Sequence, residues 1–189
     1  MKIELFKQKY NIPQEVGLRY CSTEQIITDR ETGEVIISMI AFIEGGMTIP
    51  MGRITRDYLI AHRLCPHQCA PNMFRILGCI DALNEHLQLG LTWHDVVYVY
   101  EFHSQADGGY YLKSRSAMVR LISCLPKSNE GMKDDYLIVS RPWHDGLHCP
   151  VKRESQVGYI RVRFPRKILQ TLSSSLHNYD PLPYITSII

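Results

Sequence analysis

A chain of 189 residues, 45% hydrophobic and 21% charged with a formal net charge of +2, has the make-up of one ordinary globular domain with a sizeable core. The charge is too small to mark a nucleic-acid binder by itself, no run approaches the roughly 18 apolar residues of a membrane span, and the opening MKIELFKQKYNIPQEV lacks the apolar stretch of a secretory leader. These exclusions point to a protein of the cytoplasm or nucleus that meets no membrane, with its six cysteines as reduced thiols.

The first 50 residues read as extended structure with turns. Two apolar runs, Ile26–Ile27 and Val35–Ile43, flank a polar turn centred on Thr32-Gly33 and suggest a hairpin. Gly45-Gly46 breaks the chain before a first helix from Gly52 to Leu64, in which Ile54, Tyr58, Ala61 and Cys65 recur at helical spacing as a buried stripe. Arg53, Arg56 and Arg63 fall off that stripe, and Pro66 ends the helix by pushing its predecessor out of the α region.

A second helix opens at Pro71, whose missing N–H is harmless in a first turn. Phe74, Leu77, Ile80 (or Cys79), Leu83 and Leu87 then repeat every three or four residues, which makes this the central helix of the core, and Gly90 stands where a left-handed cap is expected. Thr92 and Asp95 begin a third helix as a capping-box-like pair, with Val96, Val99, Tyr100 and His103 along one side as far as Asp107-Gly108-Gly109.

Beyond that turn the period changes to two. Tyr110–Ser114, Met118–Leu125 and Tyr136–Ser140 read as strands of an antiparallel meander around the polar loop PKSNEGMKDD. Helices followed by strands give an α+β fold, a helical cluster packed on an antiparallel β-sheet. This domain takes residues 1–157, and residues 158–189 form a basic C-terminal extension and tail, with a strand at Tyr159–Phe164 and a short helix at Ile168–Leu176.

Charge is uneven along the chain. Residues 1–50 carry five Lys or Arg against seven Asp or Glu, whereas residues 151–170 carry six against one. Within the second segment Arg161, Arg163, Arg166 and Lys167 interleave with Tyr159 and Phe164, so cations for phosphates stand beside rings for bases. The same alternation also describes an edge strand with arginines outward and Ile160, Val162 and Phe164 inward, and it fits that arrangement closely.

A metal site is the sharpest chemical alternative. Cys65, His67 and Cys69 form one tight cluster, and His144, His148 and Cys149 a second. Two such clusters hold enough donors for a tetrahedral zinc. The spacing matches no finger or ribbon, and Cys65 belongs to a buried stripe, so small core cysteines are the plainer reading. No nucleophile elbow, phosphate loop or cysteine-protease signature occurs, and Gly45-Gly46 and Gly108-Gly109 read as turns.

The order of short motifs is more distinctive than any of them singly. FIEGGMTIP, LCPHQCAPNMFRILGC, LTWHDVVYVYEF, GGYYLKSR and DDYLIVSRPWHD, over residues 11–150, resemble the gypsy-type transposon domain family of plants. The matching features are a Gly-x-x-x-Pro entry ahead of a helix, the junction Pro66-His67-Gln68-Cys69-Ala70-Pro71-Asn72, the Tyr100-Glu101-Phe102 segment and the Pro142-Trp143 end. The resemblance implies a product of the gag region of a long-terminal-repeat retrotransposon, and it brings no catalytic residues with it.

The sequence reading is therefore a non-enzymatic, gag-like protein of transposable-element origin. It takes no cofactor and works through protein–protein or nucleic-acid contacts, self-association among them, with Arg161, Arg163, Arg166 and Lys167 as the candidate nucleic-acid residues. The alternative is a zinc-stabilised DNA- or RNA-binding module using Cys65 and Cys69 with His144, His148 or Cys149.

Overall fold

A computed structural model of the chain describes residues 3–22, 34–104, 109–116, 122, 125 and 135–140. All of them belong to a unit spanning Met1–Gly158. Among these residues the fold is α+β. In chain order the elements are α1 (Ile3–Lys9), β1 (Leu18–Ser22), β2 (Val35–Ser38), α2 (Met39–Ile43), α3 (Arg53–Ala61), a single 3-10 turn (Pro66–Gln68), α4 (Pro71–Leu87), α5 (Trp93–Val99), β3 (Tyr100–Ser104), β4 (Tyr110–Ser114) and β5 (Asp135–Val139).

The strands form two antiparallel sheets. β5 lies between β1 and β2, with Leu18 opposite Val139 on one side and Val35 opposite Val139 on the other. β3 and β4 make a separate hairpin in which Phe102 faces Leu112 and His103 faces Tyr111. The expected meander is thus replaced. The last described strand, β5, does not pair with β4 but inserts between two N-terminal strands, where Leu137, Ile138 and Val139 are buried, while most of the expected strand Met118–Leu125 lies outside the described residues. A strand so apolar gains more from neighbours on both edges than from a place at the rim.

Three local expectations change for related reasons. The opening segment is a helix, α1, which turns Phe6 inward to meet Phe42 edge-on at 5.5 Å. The run Val35–Ile43 divides into β2 and α2, and among the described residues β2 pairs with β5; Ile26, Ile27, Thr32 and Gly33, the other arm and turn of the expected hairpin, lie outside the described residues. The third helix stops at Val99, because Tyr100–Ser104 is a β-rich run with a ready partner in β4.

α4 is the central helix, as its pattern predicts. Phe74, Leu77 and Ile80 are buried, together with Met73 and Ile76, and burying one such side chain contributes about 1.5–3 kcal/mol. Leu83 is only half-buried, so the deep part of the stripe ends a turn earlier than the spacing suggests. Pro71 does open the helix, whereas the left-handed cap falls on Gln88 (φ 49°), two residues ahead of Gly90 (φ 66°).

The polar side chains of α4 serve its neighbours. The Asp81 carboxylate accepts the Ile54 N–H at 2.7 Å, the Thr55 N–H at 3.0 Å and the Thr55 hydroxyl at 2.6 Å. A side chain from one helix therefore caps the first turn of another, where N–H groups lack intrahelical partners. Gly52 occupies the N-cap position of α3, and a β-carbon there would collide with the Asp81 carboxyl group. Asp81→Ala should cost about 1–3 kcal/mol in urea denaturation, since it strands two N–H groups and a hydroxyl. Gly52→Ala should destabilise as well, and the double variant should lose less than the sum of the two, because the substitutions act on one contact.

Candidate functional site

α3 is the element on which the described chemistry converges. Its inner face buries Ile54, Thr55, Tyr58 and Leu59, while Arg53 and Arg56 are exposed and Ile60 is 38% exposed between turns of the outer face. The helix ends in a Schellman arrangement: the Arg63 N–H reaches the Ile60 carbonyl at 3.1 Å and the Leu64 N–H the Leu59 carbonyl at 2.9 Å. This closure requires a left-handed residue at its turn, normally glycine, and Arg63 supplies it with φ 52°.

At the same end of the helix His62 is enclosed by rings from three elements. Its imidazole stacks on Tyr58 at 4.2 Å, meets Trp93 of α5 edge-on at 5.8 Å and lies 5.6 Å from Phe102 of β3. Nδ1 lies 2.9 Å from the Tyr58 carbonyl, so the neutral ring donates there and carries its lone pair on Nε2. Burial lowers the His62 pKa, and the bond to Tyr58 opposes the shift. The ring series continues outward, with exposed His94 stacked on Trp93 at 3.7 Å, and inward, with Phe102 stacked on Tyr110 at 4.7 Å.

Three groups on this part of the fold are held in their protonated forms. Burial drives the Cys69 thiol far above its ordinary range, and its Sγ donates to the Cys65 carbonyl at 3.6 Å. Burial also raises the Tyr58 phenol, with Cys69 adding to the effect and Arg115 opposing it. The Cys79 thiol is raised by burial against the pull of Arg75. A thiol held protonated in this way is a poor nucleophile, since the thiolate is the attacking form.

Cys65 departs from the expectation of reduced thiols, because its sulfur is disulfide-bonded. Pairing of this sort depends on tertiary proximity, which sequence spacing does not report. The 3.7 Å approach of Cys65 Sγ to the Ile36 carbonyl is then a packing contact, since a disulfide sulfur has no proton to donate. The zinc alternative loses its first ligand by the same fact. Of the remaining candidates Cys69 is buried and protonated, and His144, His148 and Cys149 lie outside the described residues. No group of three or more His, Cys, Asp or Glu among the described residues is arranged to hold a metal.

Arg161, Arg163, Arg166 and Lys167 also lie outside the described residues. Arg53, Arg56 and Arg63, which the helical pattern had set off the buried stripe of α3, are exposed, as is Arg115. Arg53 also donates from one guanidinium nitrogen to the Leu91 carbonyl at 3.2 Å. Arg56 pairs with Asp57 at 3.3 Å, both side chains being well exposed. No helix among the described residues is long and apolar enough to cross a membrane. Compared with family models, with curated proteins and with solved structures, the chain matches none of them.

Two outcomes follow from this geometry. The unfolded chain takes up the His62 proton more readily than the folded one, so stability is complete above the ordinary value of 6.5 and falls as pH drops through it toward the lower folded value. His62→Phe should keep the ring contacts and flatten the change in urea midpoint between about pH 7 and pH 5. Treatment with a chelator should leave the melting temperature unmoved; loss of structure together with one bound zinc per chain would restore the zinc module, because structural zinc binding is folding free energy.

Proposed function

We propose that the chain is a non-enzymatic protein derived from a gypsy-type plant retrotransposon, acting in the cytoplasm or nucleus by contact with nucleic acid or with copies of itself. One observation carries the reading. Among the described thiols, Cys69 and Cys79 are kept protonated by burial and Cys65 is disulfide-bonded, while cations and half-exposed rings occupy the outer surface of α3 and α5. Such a surface suits binding better than turnover.

The motif order supports the origin. FIEGGMTIP ends α2 and leads to α3, the Pro66–Asn72 junction opens α4, LTWHDVVYVYEF forms α5 and β3, and GGYYLKSR forms β4. The disulfide at Cys65 is the feature least at home in a reducing compartment.

Of the two kinds of partner, nucleic acid is favoured by the outward arginines of α3 and by the basic run at residues 151–170. The direct test is fluorescence anisotropy with a labelled 20-nucleotide oligouridylate at two salt concentrations, alongside gel filtration. Salt-sensitive binding is expected, since each neutralised phosphate releases counterions. Arg166→Ala with Lys167→Ala should then flatten the salt slope and leave the melting temperature nearly unchanged. Failure to bind at low salt would remove nucleic acid from the reading, and a monomer by gel filtration would remove self-association.

A further inference from the structure

We infer that the outward face of the β3–β4 hairpin binds single-stranded nucleic acid, the His103–Tyr111 ring pair taking a base and Lys113 and Arg115 taking phosphates. This rests on the nucleic-acid reading above and gives it a site far in sequence from the basic run at residues 151–170.

Cross-strand register decides which side chains share this face. Glu101 stands opposite Lys113 and His103 opposite Tyr111. Alternate residues of a strand point the same way, so these four lie on one side of the hairpin. Tyr100, Tyr110 and Leu112, which alternate with them, are buried on the other. Arg115 continues the row just beyond β4 and meets the Glu101 carboxylate at 3.1 Å. The His103 and Tyr111 rings stack across the two strands, with centroids 5.3 Å apart and 27° between their planes. Lys113 and Arg115 are exposed, and both rings are half-buried.

The charge of the face is unbalanced. Its one acid, Glu101, is engaged at both oxygens, Oε2 with His103 Nε2 and Oε1 with Arg115 Nη1, each at 3.1 Å. Arg115 also donates from Nε to the Val97 carbonyl at 3.1 Å, which fixes the guanidinium and leaves Nη2 for a ligand. Among the described residues no hydrogen bond or ion pair holds the Lys113 ammonium. Two cations therefore stand against one acid already satisfied from within the face, and an anion is the complement.

The rings narrow the choice of anion. Tyr111, Lys113 and Arg115 follow one another along one strand direction at steps of about 7 Å, so a flat π surface stands beside a row of cations. An acidic peptide or a lipid headgroup would use the cations alone. A single strand presents flat bases and phosphates in alternation and uses both. A duplex keeps its bases stacked on one another and has none to offer to a ring.

The test is the anisotropy titration with labelled 20-nucleotide oligouridylate, made on the full chain. Lys113→Ala should lower the salt slope by about 0.7, the value for one phosphate contact on a single strand, with the melting temperature unchanged. Tyr111→Val keeps a β-forming residue. It should weaken binding by roughly 5- to 150-fold, the range for one lost base–ring stack, and leave the slope intact. Ultraviolet irradiation with a 5-bromouridine-substituted oligomer should crosslink the peptide that carries Tyr111. That crosslink decides the matter should Tyr111→Val fail to fold.

An unchanged slope in Lys113→Ala, with crosslinks confined to residues 151–170, would overturn this site and leave the nucleic-acid reading standing. Displacement of the oligomer by polyglutamate as readily as by RNA, with Tyr111→Val binding like the unmodified protein, would mark a plain cationic surface and overturn it too. Absence of binding by the unmodified protein would overturn both.

Discussion

A carboxylate in the middle of α4 closes the start of α3, and the placement of every outward group on α3 depends on it. The first turn of any helix presents N–H groups with no partner in the helix. The N-cap residue usually answers that need, but Gly52 has no side chain to offer. Asp81 answers it from 27 residues away in the sequence. The absence of a side chain at residue 52 and the presence of an acid at residue 81 are thus one requirement, because any β-carbon at the first would exclude the second. The arrangement also fixes the rotation of α3, with Tyr58 and Leu59 inward and the arginines outward.

α4 repeats this device along its length. Asn72 donates to the Leu112 carbonyl of β4 at 3.0 Å, Arg75 to the Glu44 carbonyl beyond α2 at 2.6 Å, and Asn84 accepts the Leu91 N–H at 2.7 Å. Backbone groups at the ends of neighbouring elements need partners once they leave water, and one helix supplies them in four directions. Its apolar side fills the core with Met73, Phe74, Ile76, Leu77 and Ile80. Close approach completes the packing: a β-carbon on buried Gly45 would sit 3.1 Å from Phe74 Cβ and 3.1 Å from the Pro71 carbonyl oxygen. The motifs FIEGGMTIP and LCPHQCAPNMFRILGC meet at this point, so each has a packing reason independent of any ligand.

That division bears on function. The distinctive motifs build the interior, and the interior neutralises its own reactive groups: Cys69 and Tyr58 keep their protons because their charged forms would stand in an apolar setting. What remains for contact with other molecules is the surface. There the least ordinary features are a left-handed arginine at the end of α3, exposed cations along its outer face and a stacked indole–imidazole pair at the start of α5.

Periodicity alone determined the strongest elements. Pro71 and the spacing of Phe74, Leu77 and Ile80 specify α4, Thr92 and Asp95 specify the start of α5, where the Asp95 carboxylate accepts the Thr92 N–H at 2.7 Å, and the alternation after Gly109 specifies β4. Each is written in residues close together in the chain. The outward direction of Arg53, Arg56 and Arg63 was legible for the same reason. The partner of β5, the change from helix to strand at Tyr100, the disulfide at Cys65 and the enclosure of His62 were not. All four depend on groups distant in sequence, and a β-rich run takes the form for which an edge is available. Arg63 marks the limit most clearly. Its type suggests a solvated surface residue, and only the closure of α3 against Leu59 and Ile60 obliges its backbone to turn left-handed, because that helix end has no other way to satisfy its last carbonyl groups.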